Sequence, residues 1–295
     1  MDFQKSVYIW LYMVGVRVSN LTFFNAQGTT DLELPIGYGD TVLSFVGLFS
    51  DVTIDSIDLH KHFVKSPHTT KLAYVEDDGM NDAKLVKGCV MIVSTKYTIR
   101  SGERLIIWLR QEERFISKII LVRNQKIYFI NEESPHELPL PCTDECKICG
   151  TLQHVIYPIS PYAKIRFERV SSMYELFDDA IDDFDLNKLL IKKRASTFYR
   201  KAEGTSMEKF NIYHNSINIV DRSMNYDTGE FVSAYMHEER CWTLKRLQIE
   251  YAENQRLTYL IPGNEDLQTT LCTSPYDEIG GVVTHSIYTP PRYRC

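Results

Sequence analysis

Short apolar segments with a period of two dominate the chain. Among them are "KLAYVE" (71–76), "CVMIVS" (89–94), "RLIIWLR" (104–110) and "RFISKIILV" (114–122). Alternation over so few residues, with many β-branched and aromatic side chains, is typical of half-buried strands. Turn sequences such as "IRSGE" (99–103) separate the segments, and long helical periods are few. The pattern predicts a mainly β protein.

The same order of segments occurs twice. "IDLHKHFVKSPHTTKLAYVEDDGM" (57–80) aligns without a gap with "FDLNKLLIKKRASTFYRKAEGTSM" (184–207), which begins 127 residues later. Further on, "ICGTLQHVIYP" (148–158) matches "IGGVVTHSIYT" (279–289), with the offset grown to 131. Chance similarity between β-rich segments does not keep an ordered register over such a length. We therefore interpret the chain as two copies of one domain.

The repeat predicts three parts: an N-terminal arm (1–45), a first domain (46–160) and a second domain (161–295). In each copy an Asp-Leu pair precedes a short apolar period, so Asp58 and Asp185 are predicted to cap the start of a helix.

Composition narrows the class of protein. The chain of 295 residues is long enough for two cores, and its net charge of −6 argues against a general nucleic-acid binder. Seven cysteines at irregular spacing indicate reduced thiols, and hence a cytoplasmic protein. The apolar run Val7–Val16 is too short for a membrane span and lacks a cleavage site after it, so we predict a buried strand there and no membrane association.

Five segments within residues 182–289 carry a family resemblance: "DFDLNKLLIKK", "GTSM", "INIVDRSMNYDTGEFVSA", "CWTLKRLQ" and "GGVVTHSIY". In order and spacing they resemble the LexA/UmuD family of self-cleaving serine peptidases of the SOS response, and its UmuD-like members in particular. Residues 57–158 resemble the family more loosely. The resemblance implies a mainly β fold of two tandem LexA/UmuD C-terminal-like twisted-sheet domains, forming a pseudo-dimer within one chain.

The resemblance also implies that Ser206 is a nucleophile and Lys245 its general base. A serine hydroxyl reacts only when a base removes its proton, and a neutral lysine amine is such a base where desolvation lowers its pKa. Strand alternation in "WTLKRL" puts Thr243, Lys245 and Leu247 on one face. Backbone amides near Ser206 are expected to form the oxyanion hole. Without the family frame, Ser206 is a turn residue and Lys245 an ordinary surface lysine.

The first copy departs from this pattern. Its "DDGM" places Gly79 at the nucleophile position, while Lys118 matches Lys245. Because glycine has no hydroxyl, we expect this copy to be a degenerate equivalent, retained as a packing partner.

The expected scissile bond is also unusual. The family cuts an Ala-Gly or Cys-Gly bond upstream of the serine, and the matching position falls within "ERVSSM" (168–173), which has no glycine. The bond Cys149–Gly150 lies inside a predicted strand, where cleavage would sever the last strand of the first domain.

Other candidate sites are weaker. Cys142, Cys146 and Cys149 have near-metal spacing but lack an evident fourth ligand, so we expect no metal. His154 and His285 occupy equivalent positions in the two copies. Each is either a catalytic residue or a structural residue at the edge of a strand. No phosphate-binding or dinucleotide motif is present, and no cofactor is expected.

Two functional classes remain open. One is a self-cleaving peptidase of DNA-damage tolerance and translesion synthesis, with its own chain as substrate and the RecA filament as the activating partner. The other is a non-cleaving binding subunit or regulator, docking on a Y-family DNA polymerase subunit, on RecA or on a transcription partner. The first forty-odd residues show no paired helix periods, so no sequence-specific DNA binding is expected. A signal-peptidase-like role would need a membrane anchor.

Overall fold

The computed structural model describes residues 57–76, 80, 84–96, 98–130, 140–143, 145–162, 171–172, 184–253 and 255–293. The predictions for the arm 1–45, the strand Val7–Val16 and Gly79 lie outside these residues. Within the described ranges, no helix has the length and apolar character needed to cross a membrane.

The first copy begins with helix α1 (Leu59–Phe63), capped by the Asp58 side chain, which accepts a hydrogen bond from the Lys61 N–H at 3.0 Å. A 3-10 turn (Pro67–Thr69) leads into the strands. These are β1 (Thr70–Tyr74), β2 (Val90–Ser94), β3 (Arg104–Leu109), β4 (Arg114–Arg123), β5 (Lys126–Ile130), β6 (Leu140–Pro141), β7 (Cys146–Pro158) and the short β8 (Ser171–Ser172).

The second copy repeats this order. Helix α2 (Leu186–Leu190) is capped by Asp185, which accepts from the Asn187 N–H at 2.9 Å. Two 3-10 turns (Arg194–Ser196 and Glu208–Phe210) flank the first strand. The strands are β9 (Thr197–Lys201), β10 (Ile217–Asp221), β11 (Phe231–Met236), β12 (Cys241–Ala252), β13 (Gln255–Ile261), β14 (Thr270–Leu271) and β15 (Glu278–Tyr288). The mainly β fold with tandem domains is confirmed.

The strands form one hydrogen-bonded sheet system with the path β14-β13-β12-β11-β15-β7-β3-β4-β5-β6. The pairs β1–β2 and β9–β10 attach to β7 and β15 respectively. A register shift lies between Ile92 and Val93 on β2, and another between Ile219 and Val220 on β10. These shifts are 127 residues apart, so the repeat extends to the local irregularities of the ladder.

The two copies join where β7 pairs antiparallel with β15. Ile156 lies opposite Ile287, and Tyr157 opposite Ser286. Ile156 and Ile287 are separated by the repeat offset of 131, so each pairs with its own counterpart, as at a two-fold axis. The predicted pseudo-dimer is therefore confirmed.

Apolar side chains from both copies bury one another around this axis, in what we call the interface core. Six of its first-copy members, Leu59, Phe63, Leu72, Val90, Ile92 and Ile156, correspond one to one with Leu186, Leu190, Tyr199, Ile217, Ile219 and Ile287 of the second copy. The seventh, Val64, corresponds to the partly buried Ile191. Burial of these matched faces stabilises the contact between the copies.

A polar contact between the helices departs from the symmetry. Asn187 Oδ1 accepts from the Leu59 N–H at 2.9 Å, and its Nδ2 donates to Asp58 Oδ1 at 2.8 Å. The Asn187 amide, followed by the Lys61 N–H, lowers the pKa of Asp58 to about 2. His60 occupies the position equivalent to Asn187, so this contact exists on one side of the axis.

The segments after β7 and β15 each cross to the other copy. The Ile159 N–H donates to the Thr284 carbonyl at 2.9 Å, and the Tyr293 N–H donates to the Gly102 carbonyl at 3.0 Å. Gly102 has φ +83°, and a Cβ there would collide with the Tyr293 carbonyl. Glycine is thus required at this turn both for its backbone conformation and for the close approach.

Candidate active site

Ser206 lies in the turn between β9 and β10, and its backbone is held from two sides. Met207, which follows it, is buried at 3% exposure in the apolar core. The Ser206 carbonyl accepts hydrogen bonds from the N–H groups of Gly263 at 2.6 Å and Asn264 at 3.0 Å. A Cβ on Gly263 would lie 3.0 Å from both this carbonyl and the Phe210 ring. The loop after β13 therefore fixes the serine at close range, and a Cβ at residue 263 would force a neighbouring group to shift.

The rest of the serine turn has its own supports. Gly204 has φ +73°, and its N–H donates to His214 Nδ1 at 3.0 Å. Lys209 forms an ion pair with Glu265 at 2.7 Å, which ties the turn to the loop after β13. Both charges are exposed, so the pair contributes little to stability.

Lys245 reaches Ser206 from β12, where it pairs with Val232 of β11. Its Nζ donates a hydrogen bond to Ser206 Oγ at 3.2 Å. This distance suits proton transfer in the opposite direction once the amine is neutral. Lys118 occupies the equivalent strand position in the first copy, opposite Leu105.

Burial has the largest effect on the charge of Lys245. It lowers the pKa of this amine below the ordinary value of 10.5, while electrostatic interactions with Glu239 and Cys241 act in the opposite direction. Desolvation penalises the ammonium form, so a larger fraction of Lys245 is neutral at a given pH than for a surface lysine. Charge and geometry thus both suit a general base.

A cleft of about 340 Å³ opens beside the two residues, a size that accepts side chains of a peptide. Its lining includes Arg200, Glu203, Ser206, Ser233, Trp242 and Lys245. The consecutive residues Trp242–Lys245 all line it, so strand alternation alone does not sort which side chains meet the cleft.

Sequence reasoning missed Arg200. The residue is 6% exposed, its guanidinium lies 4.2 Å from the centre of the Trp242 ring, and its Nε donates to Ser233 Oγ at 3.4 Å. Burial, together with the charge of Arg222, lowers the pKa of Arg200 to about 10. Alternation in β9 puts Arg200 on the same face as the buried Phe198, and a charged residue on an apolar face was the available signal.

The two equivalent histidines do not line this cleft. His154 Nδ1 lies 2.8 Å from Thr289 Oγ1, and burial, helped by nearby positive charges, lowers the pKa of His154 to about 4. His285 is 3% exposed, with Nδ1 3.1 Å from Thr284 Oγ1. Both pack where β7 and β15 meet.

The three clustered cysteines are free thiols. The Cys149 thiol donates to the Lys147 carbonyl at 3.3 Å, and burial raises its pKa to about 11. Within the described part of the chain, no group of three or more His, Cys, Asp or Glu side chains is placed to hold a metal ion.

Part of the expected scissile region lies on the first copy. Ser171 and Ser172 form β8, which pairs in parallel with Ala73 and Tyr74 of β1. The rest of the segment 168–173 is outside the described residues. The described part of this segment is therefore paired with the first copy.

Comparison with known proteins agrees with the repeat. The Peptidase S24-like family matches residues 41–153 and 171–284, once for each copy. The protein MucA of Salmonella typhimurium is 30% identical over 111 residues, which are 37% of this chain and 71% of MucA. MucA of Escherichia coli matches to the same extent. The protein ImpA of Shigella flexneri is 30% identical over 118 residues, which are 38% of this chain and 72% of ImpA.

Proposed function

This chain belongs to the Peptidase S24-like family, and we propose that its second copy is a serine–lysine peptidase that cleaves its own chain. The similarity to MucA and ImpA supports a function related to the SOS response. We place that function in the cytoplasm, in DNA-damage tolerance and translesion synthesis. The observation that carries the proposal is the 3.2 Å contact between Lys245 Nζ and Ser206 Oγ in a partly buried cleft.

The chemistry follows from the two side chains. Neutral Lys245 takes the proton of Ser206 as Oγ attacks a peptide carbonyl, and backbone N–H groups of the serine turn stabilise the oxyanion. The protonated Lys245 then gives its proton to the leaving amine, which breaks the C–N bond and leaves an ester on Ser206. Water hydrolyses the ester, with Lys245 again as the base.

The first copy has a different role in this proposal. Gly79 supplies no hydroxyl for Lys118 to activate, so the copy contributes the other half of the pseudo-dimer. It replaces the second subunit that a single-domain relative would have to recruit.

A second candidate function is a non-cleaving subunit that binds a partner. Two observations favour it: the expected scissile region lacks glycine, and Ser171–Ser172 pair with the first copy. UmuD-like proteins in general self-associate and work with a polymerase. In this alternative the pseudo-dimer docks on a Y-family DNA polymerase subunit, on RecA or on a transcription partner. Ser206 then has no catalytic role.

Incubation of the purified chain at alkaline pH, with and without RecA filaments, separates these functions. Mass spectrometry gives the fraction of cut chain and the bond cut. Ser206→Ala and Lys245→Ala should each abolish cleavage, because a general base contributes on the order of 10²–10⁴ in rate. Their combination should be no worse than either, since the two groups act as a unit.

Lys118→Ala is the matched control, since it removes the equivalent lysine from the copy without a nucleophile. Its cleavage should equal that of the wild type. Equal cleavage of the wild type and Ser206→Ala would show that another residue attacks. A wild-type chain that stays whole under every condition would favour the binding subunit.

A further inference from the structure

Arg200 carries a buried charge without a counter-ion in the described part of the chain. Among the described residues, Nε has the weak 3.4 Å contact to Ser233 Oγ, and the buried Nη2 has no hydrogen-bond partner. The ion pairs of the described residues do not include Arg200. A desolvated guanidinium costs several kcal/mol unless an anion pairs with it. Such an arrangement is typical of a site that is completed by a ligand.

The surroundings of Arg200 supply further donors. The guanidinium lies over the Trp242 ring, and Trp242 Nε1 is also a buried donor without a partner among the described residues. Arg200 contacts both Ser233 and Trp242, and the three residues line the cleft that holds Ser206. Two residues of the lining thus carry a buried donor, Arg200 Nη2 and Trp242 Nε1, without an acceptor among the described residues.

The position of Arg200 favours a peptide as the source of that acceptor. In the first copy, the extended segment β8 pairs with Ala73 and Tyr74, which are the counterparts of Arg200 and Lys201. The equivalent edge of the second copy borders the cleft of the dyad. The first copy, which lacks the serine, has Ala73 where the second has Arg200, so the cation occurs in the copy with the complete dyad.

We propose that the cleft takes an extended peptide, and that Arg200 with Trp242 selects an Asp or Glu side chain of that peptide beside the bond attacked by Ser206. The carboxylate accepts from the guanidinium, which lies over the Trp242 ring. This inference rests on the proposed function for the role of the cleft. Glu203 also lines the cleft but is exposed, whereas Arg200 is 6% exposed.

Binding to the Ser206→Ala chain tests the proposal without cleavage. The probes are fluorescent peptides: residues 168–183 of this chain (ERVSSMYELFDDAIDD), the same peptide with every Asp and Glu replaced by its amide, and a scrambled acidic version. Both acidic peptides should bind at least 10-fold tighter than the amide peptide, as a charge-assisted contact predicts. If the scrambled peptide binds more weakly than the native one, the cleft also prefers the sequence of this segment.

Arg200→Met in the same background keeps the length of the side chain and removes its charge. The 10-fold preference should disappear while the melting temperature is unchanged or higher, because an unpaired buried charge is lost. Arg200→Lys should retain part of the preference. Three results would overturn the inference. The first is that the Arg200→Met chain still prefers acidic peptides, and the second is that the Ser206→Ala chain shows no such preference. The third is that the chain binds an oligonucleotide but not the acidic peptides.

The two proposals fail separately. If the wild type cuts no chain but the Arg200-dependent preference is present, the acidic subsite stands and the peptidase function falls. If the wild type cleaves and binds acidic and amide peptides equally, the peptidase function stands and the subsite falls.

Discussion

Replacing Ile156 or Ile287 with alanine should destabilise the whole described fold by about 3 kcal/mol in each case. Both side chains are 1% exposed, and they lie opposite each other at the pseudo-two-fold axis. Each change removes three carbons, or roughly 2.4 kcal/mol of transfer free energy at ~0.8 per methylene, and the residual cavity adds to this. Because the residues are counterparts, the two losses should agree within about 1 kcal/mol.

Urea unfolding, followed by circular dichroism and by tryptophan fluorescence, measures these losses. The interface core is shared, so each variant should unfold in one transition that coincides by both probes. The double variant should lose less than the sum, because the two side chains border one cavity. Leu267→Ala is the control: its side chain is 47% exposed, and a change within about 0.5 kcal/mol is expected.

Two results would refute the shared core. One is a biphasic transition in which Ile287→Ala shifts one phase and leaves the other at its wild-type midpoint, as independent domains would behave. The other is a loss below about 1 kcal/mol in both variants, which is too small for a buried isoleucine at a packed contact.

Four further predictions concern the site and two ionisable groups outside it. Gly263→Ala should slow self-cleavage by about 10-fold or more without changing either dyad residue, because its Cβ displaces the Ser206 carbonyl; a rate equal to wild type in a timed assay would contradict this. Cleavage should rise with pH and level off below 10.5, since burial lowers the pKa of Lys245 and the neutral amine is the base; a flat pH–rate profile would exclude that role. The lowered pKa of Asp58 contributes stability that is fully present above pH 3.8 and is lost as the pH falls towards about 2. The unfolding midpoint of Asp58→Asn should therefore depend less on acid pH than that of the wild type. Burial raises the pKa of Cys89 to about 12, so its alkylation by iodoacetamide at neutral pH should be slower than that of a surface thiol until the chain unfolds.

The candidate site divides into a part that sequence predicted and a part that it did not. Ser206 and Lys245 were singled out by motif and spacing, since a nucleophile and a base need particular residue types at particular places. The backbone donors Gly263 and Asn264 and the environment of Arg200 were not foreseen. They depend on which loop and which strand face approach the serine turn, and no local pattern of the chain encodes that approach.

The sequence by itself determined the elements and their repetition. Alternation of apolar and polar residues fixes strands because successive side chains point to opposite faces, and a constant offset reveals a duplicated domain regardless of how its copies pack. The capping of α1 and α2 was equally local, because an aspartate before a helix bonds to N–H groups two or three residues ahead. Only the tertiary structure decided that Ile156 meets Ile287, that Asn187 bonds across the axis on one side, and that Arg200 is enclosed beside the dyad. Each of these depends on surfaces that are distant in sequence, whose burial is settled only when all the strands have assembled.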